Sequence, residues 1–172
     1  MDLFTWCHSD SSSAWRIINL RLRGVNSRAL VCISLTAWAR RVEKRILVID
    51  DDEAVRRLVM QMLQRDGYTF IEADGGQAGV TAASEESPDL ILCDCTMPGM
   101  TGIDVLEILR NNESTSSIPF VFLTATDDDA TRQRAAELGA AAFMTKPIRV
   151  DDLRKHVSSI LLGEVTDPGS SD

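Results

Sequence analysis

The sequence predicts an α/β fold, a doubly wound five-stranded parallel sheet with five helices. Short apolar runs alternate five times with longer amphipathic or small-residue stretches. The connections between them are short, and no hairpin signal joins successive strands. The first and third runs are apolar without a break, the signature of strands covered on both faces.

The elements follow in order. "RILVID" (45–50) is the first strand. Asp52 is placed to cap a helix in which Val55, Leu58, Val59, Met62 and Leu63 recur at helical spacing, and Gly67 stops it. "YTFIEA" is the second strand, and "GGQAGVTAASEES" a small-residue helix closed before Pro88. "PDLILCD" is the third strand. "TGIDVLEILRNN" is a helix with Ile103, Leu106 and Leu109 facing inward and Val105 and Ile108 on its flanks. "IPFVFLTA" is the fourth strand, "DDDATRQRAAELG" a helix ending at Gly139, and "AAFMTK" the fifth strand. Val150, Leu153, Val157, Ile160 and Leu161 define the last helix. The domain therefore spans 44–162, followed by a flexible tail over 163–172.

Residues 1–43 differ in kind: a polar "HSDSSSAW", a basic stretch, and an 11-residue apolar run too short to cross a bilayer. The apolar run resembles a signal-peptide core superficially but starts late and follows Asp2 and Asp10. The expectation is an extension outside the domain, poorly ordered or arising from a start codon assigned too far upstream.

The charge of −8 is uneven. Residues 1–45 hold eight Lys/Arg against three Asp/Glu, a net of +5, whereas 46–172 hold ten against 23, a net of −13. A domain of that charge repels nucleic acid and anionic membranes, so neither is an expected partner. The four cysteines fit no disulfide framework, which suits a reducing, cytoplasmic setting. Cys93 and Cys95 alternate with Asp94 and read as core thiols rather than metal ligands.

Doubly wound sheets bind ligands beyond the carboxyl ends of their strands. Asp50, Asp51 and Asp52 follow strand one, Asp94 closes strand three, Thr124 strand four, and Lys146 follows strand five. If strands one and three are neighbours, Asp94 converges with Asp50 and Asp51. Two carboxylates about 4 Å apart repel by roughly 4 kcal/mol at an effective dielectric of ~20, so such a group must take up a proton or a cation. Hard oxygen ligands at a rigid edge suit Mg²⁺. A capped helix with an acidic first turn accounts for Asp52 and Glu53, but not for Asp50, which belongs to the strand.

Taken together, "RILVIDDDEAVRRLV", "PDLILCDCTMPGMTGIDVLEILR", "IPFVFLTA" and "GAAAFMTKPI" resemble the receiver domain of two-component response regulators, over about residues 44–162. The resemblance implies a flavodoxin-like sheet of order 2-1-3-4-5. It implies that Asp94 accepts a phosphoryl group from a sensor histidine kinase or histidine phosphotransfer protein. Asp50 and Asp51 would hold Mg²⁺ together with Asp94 and the backbone carbonyl of Thr96. Thr124 would bind a phosphoryl oxygen, Lys146 would pair with the phosphoaspartate, and Pro147 would follow a cis peptide. Phe143 matches the aromatic that turns inward when Thr124 moves, with an output face on helix four, strand five and helix five. Thr96 and Thr126 occupy positions that affect phosphoryl lifetime.

The implied protein is a stand-alone, chemotaxis-type regulator that switches contacts with a downstream protein target, with a phosphorylation-dependent homodimer as one form of output. It is not an enzyme beyond self-catalysed phosphoryl transfer and loss. A phosphatase of the haloacid dehalogenase type would need an acid where Thr96 stands. A flavodoxin would not place "DDDE" in its phosphate loop. A phosphorylation-independent receiver is the remaining alternative, and the intact set Asp50, Asp51, Asp94, Thr124 and Lys146 argues against it.

Overall fold

Five parallel strands lie in the order β2-β1-β3-β4-β5. The computed structural model describes residues 44–125 and 128–162. The expectations for residues 1–43, for Thr126 and for the tail at 163–172 lie outside the described residues. The strands are β1 (Arg45–Ile49), β2 (Thr69–Ala73), β3 (Leu90–Asp94), β4 (Phe120–Thr124) and β5 (Ala142–Thr145). The helices are α1 (Glu53–Leu63), α2 (Gly76–Glu86), α3 (Gly102–Arg110), α4 (Asp129–Glu137) and α5 (Val150–Leu162).

Every residue of β3 and β4 is buried, which explains why their sequences carry no polar alternation. The sheet separates two core layers. Leu47, Ile49, Ile91, Cys93, Phe120 and Phe122 pack on one side with the buried stripe of α3. Ile46, Val48, Leu90, Leu92, Val121 and Leu123 pack on the other with Val59 and Leu63 of α1 and Leu153 and Val157 of α5.

The helix ends follow local chemistry. Asp52 caps α1 by accepting from the Ala54 amide, and a 3₁₀ turn at Gln64–Asp66 leads into Gly67, whose positive φ of 78° a side chain would oppose. Thr101 and Asp104 form a reciprocal capping box on α3.

Two faces differ from their sequence reading. In α3 the buried stripe is Gly102, Val105, Leu106 and Leu109; Val105 is fully buried, while Ile103 is half-buried and Ile108 is 41% exposed. The i, i+3, i+4, i+7 row starts one residue earlier than the apolar residues suggest, because Gly102 lies against the sheet. In α1, Leu58 is 50% exposed although it continues the apolar pattern. Val59 and Leu63, one turn apart, carry the contact with the core.

Sheet order reverses between β1 and β3, since the chain moves outward to β2 and then returns to the far side of β1. This switch point is where such sheets open a crevice beyond the strand ends.

Candidate functional site

Register alone assembles the site. Ile49 pairs with Cys93, so Asp50 stands level with Asp94 one residue further along. Asp94 is level with Leu123, and Thr124 with Thr145, which places Lys146 one residue beyond. Strand alternation continues the row of Ile46 and Val48 into Asp50, and that of Leu90 and Leu92 into Asp94. Both acids are therefore drawn inward: Asp50 is 3% exposed and Asp94 6%.

What meets them is a cation. Lys146 Nζ donates to Asp50 Oδ2 at 2.9 Å and to Asp94 Oδ1 at 2.5 Å. The ammonium offsets the repulsion that two buried carboxylates would otherwise suffer. Burial opposes its charge, but the hydrogen bonds it donates to Asp94 and Asp50 outweigh that and hold its pKa above the usual lysine value. The Lys146 amide donates to the Thr124 carbonyl, which ties β5 to β4 at the site, and the Lys146–Pro147 peptide is cis.

The other carboxylate oxygens are also engaged. Asp50 Oδ1 accepts from the Asp52 amide at 2.9 Å, and Asp94 Oδ2 accepts from the Thr96 amide at 2.8 Å. Thr124 ends β4 and is 2% exposed. Phe143 of β5 is half-buried in the opposite core layer, in register with Phe122. Asp51 and Thr96 are exposed.

The structure thus gathers two carboxylates and an ammonium, with Asp51 beside them in sequence but outside that cluster. Among the described residues no three His, Cys, Asp or Glu side chains stand already grouped as a metal site. The donor set still fits Mg²⁺, which takes one or two carboxylates, keeps several waters and accepts a phosphate oxygen. The buried Asp50 and Asp94, the exposed Asp51 and the Thr96 carbonyl are all hard oxygen donors. The neighbouring thiols do not compete for a cation. Burial, with Asp94 adding to it, pushes Cys93 well up and Cys95 up, so both stay protonated at neutral pH.

The response regulator receiver domain family matches residues 46–158. The chain belongs to the response regulator receiver family. It is 36% identical over 130 residues to the alkaline phosphatase synthesis transcriptional regulatory protein PhoP of Bacillus subtilis, covering 75% of this chain and 53% of PhoP. It is 32% identical over 119 residues to protein PilH of Pseudomonas aeruginosa, covering 69% of this chain and 98% of PilH. The receiver therefore spans about half of PhoP and nearly all of PilH. Among solved structures, the chemotaxis regulator CheY4 of Vibrio cholerae matches with a TM-score of 0.64 and 26% identity, covering 68% of this chain and 98% of that one.

Sequence reasoning missed two arginines that touch the predicted site residues. Arg56 Nη1 donates to the Asp50 carbonyl at 2.8 Å while its Nε reaches Glu72 at 3.3 Å, so it braces the acid from α1. Its place next to the apolar stripe of an otherwise amphipathic helix was the available signal. Arg132 of α4 lies over the Phe143 ring, and nothing in a sparse polar helix marks it in advance.

Proposed function

We propose that this receiver accepts a phosphoryl group on Asp94, from a histidine kinase or a histidine phosphotransfer protein, and passes the change to a protein partner. The observation that carries the reading is the Lys146 ammonium shared between Asp50 and Asp94 at adjoining strand ends. Phosphoryl transfer asks a protein for positioning and charge compensation more than for covalent help. A carboxylate held by a lysine and a backbone amide meets both demands.

In the transfer, an oxygen of Asp94 bonds to phosphorus as the phosphorus–nitrogen bond of the donor phosphohistidine breaks. The imidazole nitrogen keeps the electron pair, and the product is an acyl phosphate. Lys146, an ammonium at neutral pH like an ordinary lysine, pairs with the new phosphoryl oxygens. Thr124, at the end of the neighbouring strand, offers a hydroxyl to the same group. Mg²⁺, held by Asp50, Asp51, Asp94 and the Thr96 carbonyl, would supply further positive charge at the phosphoryl oxygens. Phe143 then turns inward as Thr124 shifts, and α4, β5 and α5 present the altered face. The domain acts on itself and turns over no separate substrate.

PilH, of which the match covers 98%, is little more than a receiver in length; the reading given to this receiver is output through protein contacts, in a cytoplasmic setting. No described helix is long and apolar enough to cross a membrane. Acetyl phosphate with Mg²⁺ provides the test. The expected result is labelling of the wild-type protein that is lost on chelation and absent in Asp94→Asn. Equal labelling of the variant would remove Asp94 from its role, and no labelling of either would leave the phosphorylation-independent alternative standing.

A further inference from the structure

The aromatic on β5 has a partner outside the phosphoryl site. Phe143 packs on Phe122 with ring centroids 5.7 Å apart, and Phe122 in turn meets Phe120 at 4.9 Å. The Arg132 guanidinium lies over the Phe143 ring, with Cζ 4.8 Å from its centroid. Phe143 therefore sits between an apolar stack on the sheet and a cation from α4. That helix buries Ala135 alone, so each further tie to the sheet weighs heavily in its placement.

We infer that Arg132 is a positioning residue: a cation–π latch that holds Phe143 in its resting rotamer and ties α4 to β5 while it does so. The inference rests on the reading of Phe143 as the aromatic that moves. A ring that turns inward leaves the guanidinium behind, so the contact exists in the resting state and not in the turned one. Only an interaction that differs between two states can shift their populations. An exposed cation–π contact biases such an equilibrium by about two- to five-fold. That is enough to keep the resting state ahead and small enough for the phosphoryl contacts to override. The coupling is reciprocal, so whatever turns Phe143 also releases α4 at Arg132. The reader surface then moves because its helix has lost a tie, with no contact between α4 and the phosphoryl group required.

The test is the rotamer population of Phe143, read from three-bond couplings between its ring carbon and the backbone nitrogen and carbonyl carbon in phenylalanine-labelled protein. These couplings report geometry and are insensitive to the removal of a nearby charge. Arg132→Met keeps length without charge, and Arg132→Lys keeps the charge. In the unphosphorylated protein Arg132→Met is expected to raise the ratio of turned to resting rotamer by about two- to five-fold, with Arg132→Lys restoring most of the wild-type ratio. An unchanged ratio in Arg132→Met would overturn the latch. So would Arg132→Lys behaving like Arg132→Met, since charge would then not be the cause. The comparison needs no phosphorylation, so failure of the Asp94 labelling and failure of the latch are separate results.

Discussion

Helices α3 and α4 are each nine residues long, each is capped by a side chain, and they lie side by side on one face of the sheet. They are held very differently. Helix α3 buries Gly102, Val105, Leu106 and Leu109, whereas α4 buries Ala135. At the far end of α3, Arg110 donates to four carbonyls, those of Ser116, Ile118, Leu138 and Gly139. Beyond the packing of Ala135 and Leu138 in the same core cluster as α3, an ion pair of half-exposed Arg134 and Glu107 at 3.4 Å links the two helices, a contact worth little in water. One face of a small domain can thus hold both a fixed wall and a movable panel. Segments with few buried apolar contacts open at low free energy, and elements that signal are drawn from them.

The largest effect expected is in the wall. Leu106→Ala should cost about 2–5 kcal/mol in urea unfolding, as for buried leucines generally. Ala135→Gly in α4 should cost about 1 kcal/mol, chiefly through helix propensity. Equal losses would erase the contrast.

Next comes Gly102→Ala. A Cβ there would stand 2.4 Å from the backbone carbonyl oxygen of Asp94, and backbone cannot step aside as a side-chain tip can. Overpacking of this kind costs about 1–3 kcal/mol. It should also slow acetyl phosphate labelling, because the strand end that carries Asp94 must shift. Gly76→Ala, whose added Cβ would press first on the Met100 side chain and not on the Asp94 backbone, is the control and should label normally.

The smallest effect separates the two helices by acid. The hydroxyl of Thr131 and then its amide hold the Asp128 carboxyl below the usual aspartate range, and Thr101 does the same for Asp104. A depressed folded-state pKa gives a contribution that is present above the unfolded value and lost as pH falls through the folded one. Both caps should therefore fail below the ordinary aspartate range. The first turn of α4 should then lose its helical NMR shifts, while α3, held by its buried stripe, keeps them. Simultaneous loss would place the stability of α3 in its cap.

Much of this was legible in the sequence, for physical reasons. Buried parallel strands are continuous apolar runs, and the chemistry of doubly wound sheets sits at strand ends, so Asp50, Asp94, Thr124 and Lys146 could be picked out as residues. That Lys146 would stand between the two acids was not legible. It follows from the register of β1, β3 and β5, which apolar patterning does not encode. On α3, Leu106 and Leu109 face inward as read, but Val105 is buried with them rather than flanking, because Gly102 contributes to packing by having no side chain. Arg110 and Arg132 were invisible because a charged residue announces solvent, whereas these two spend their donors or their charge on carbonyls and a ring; Arg56 was marked only by its place beside the apolar stripe of α1.

Hydrogen exchange, followed peptide by peptide with and without Mg²⁺ and beryllofluoride, reads whether charge placed at Asp94 is expressed by α4 and β5 while α3 stays fixed. Altered exchange within residues 128–145 and unchanged exchange across α3 are expected. Altered exchange in α3 with α4 unmoved, or no response to the phosphoryl mimic anywhere, would contradict this.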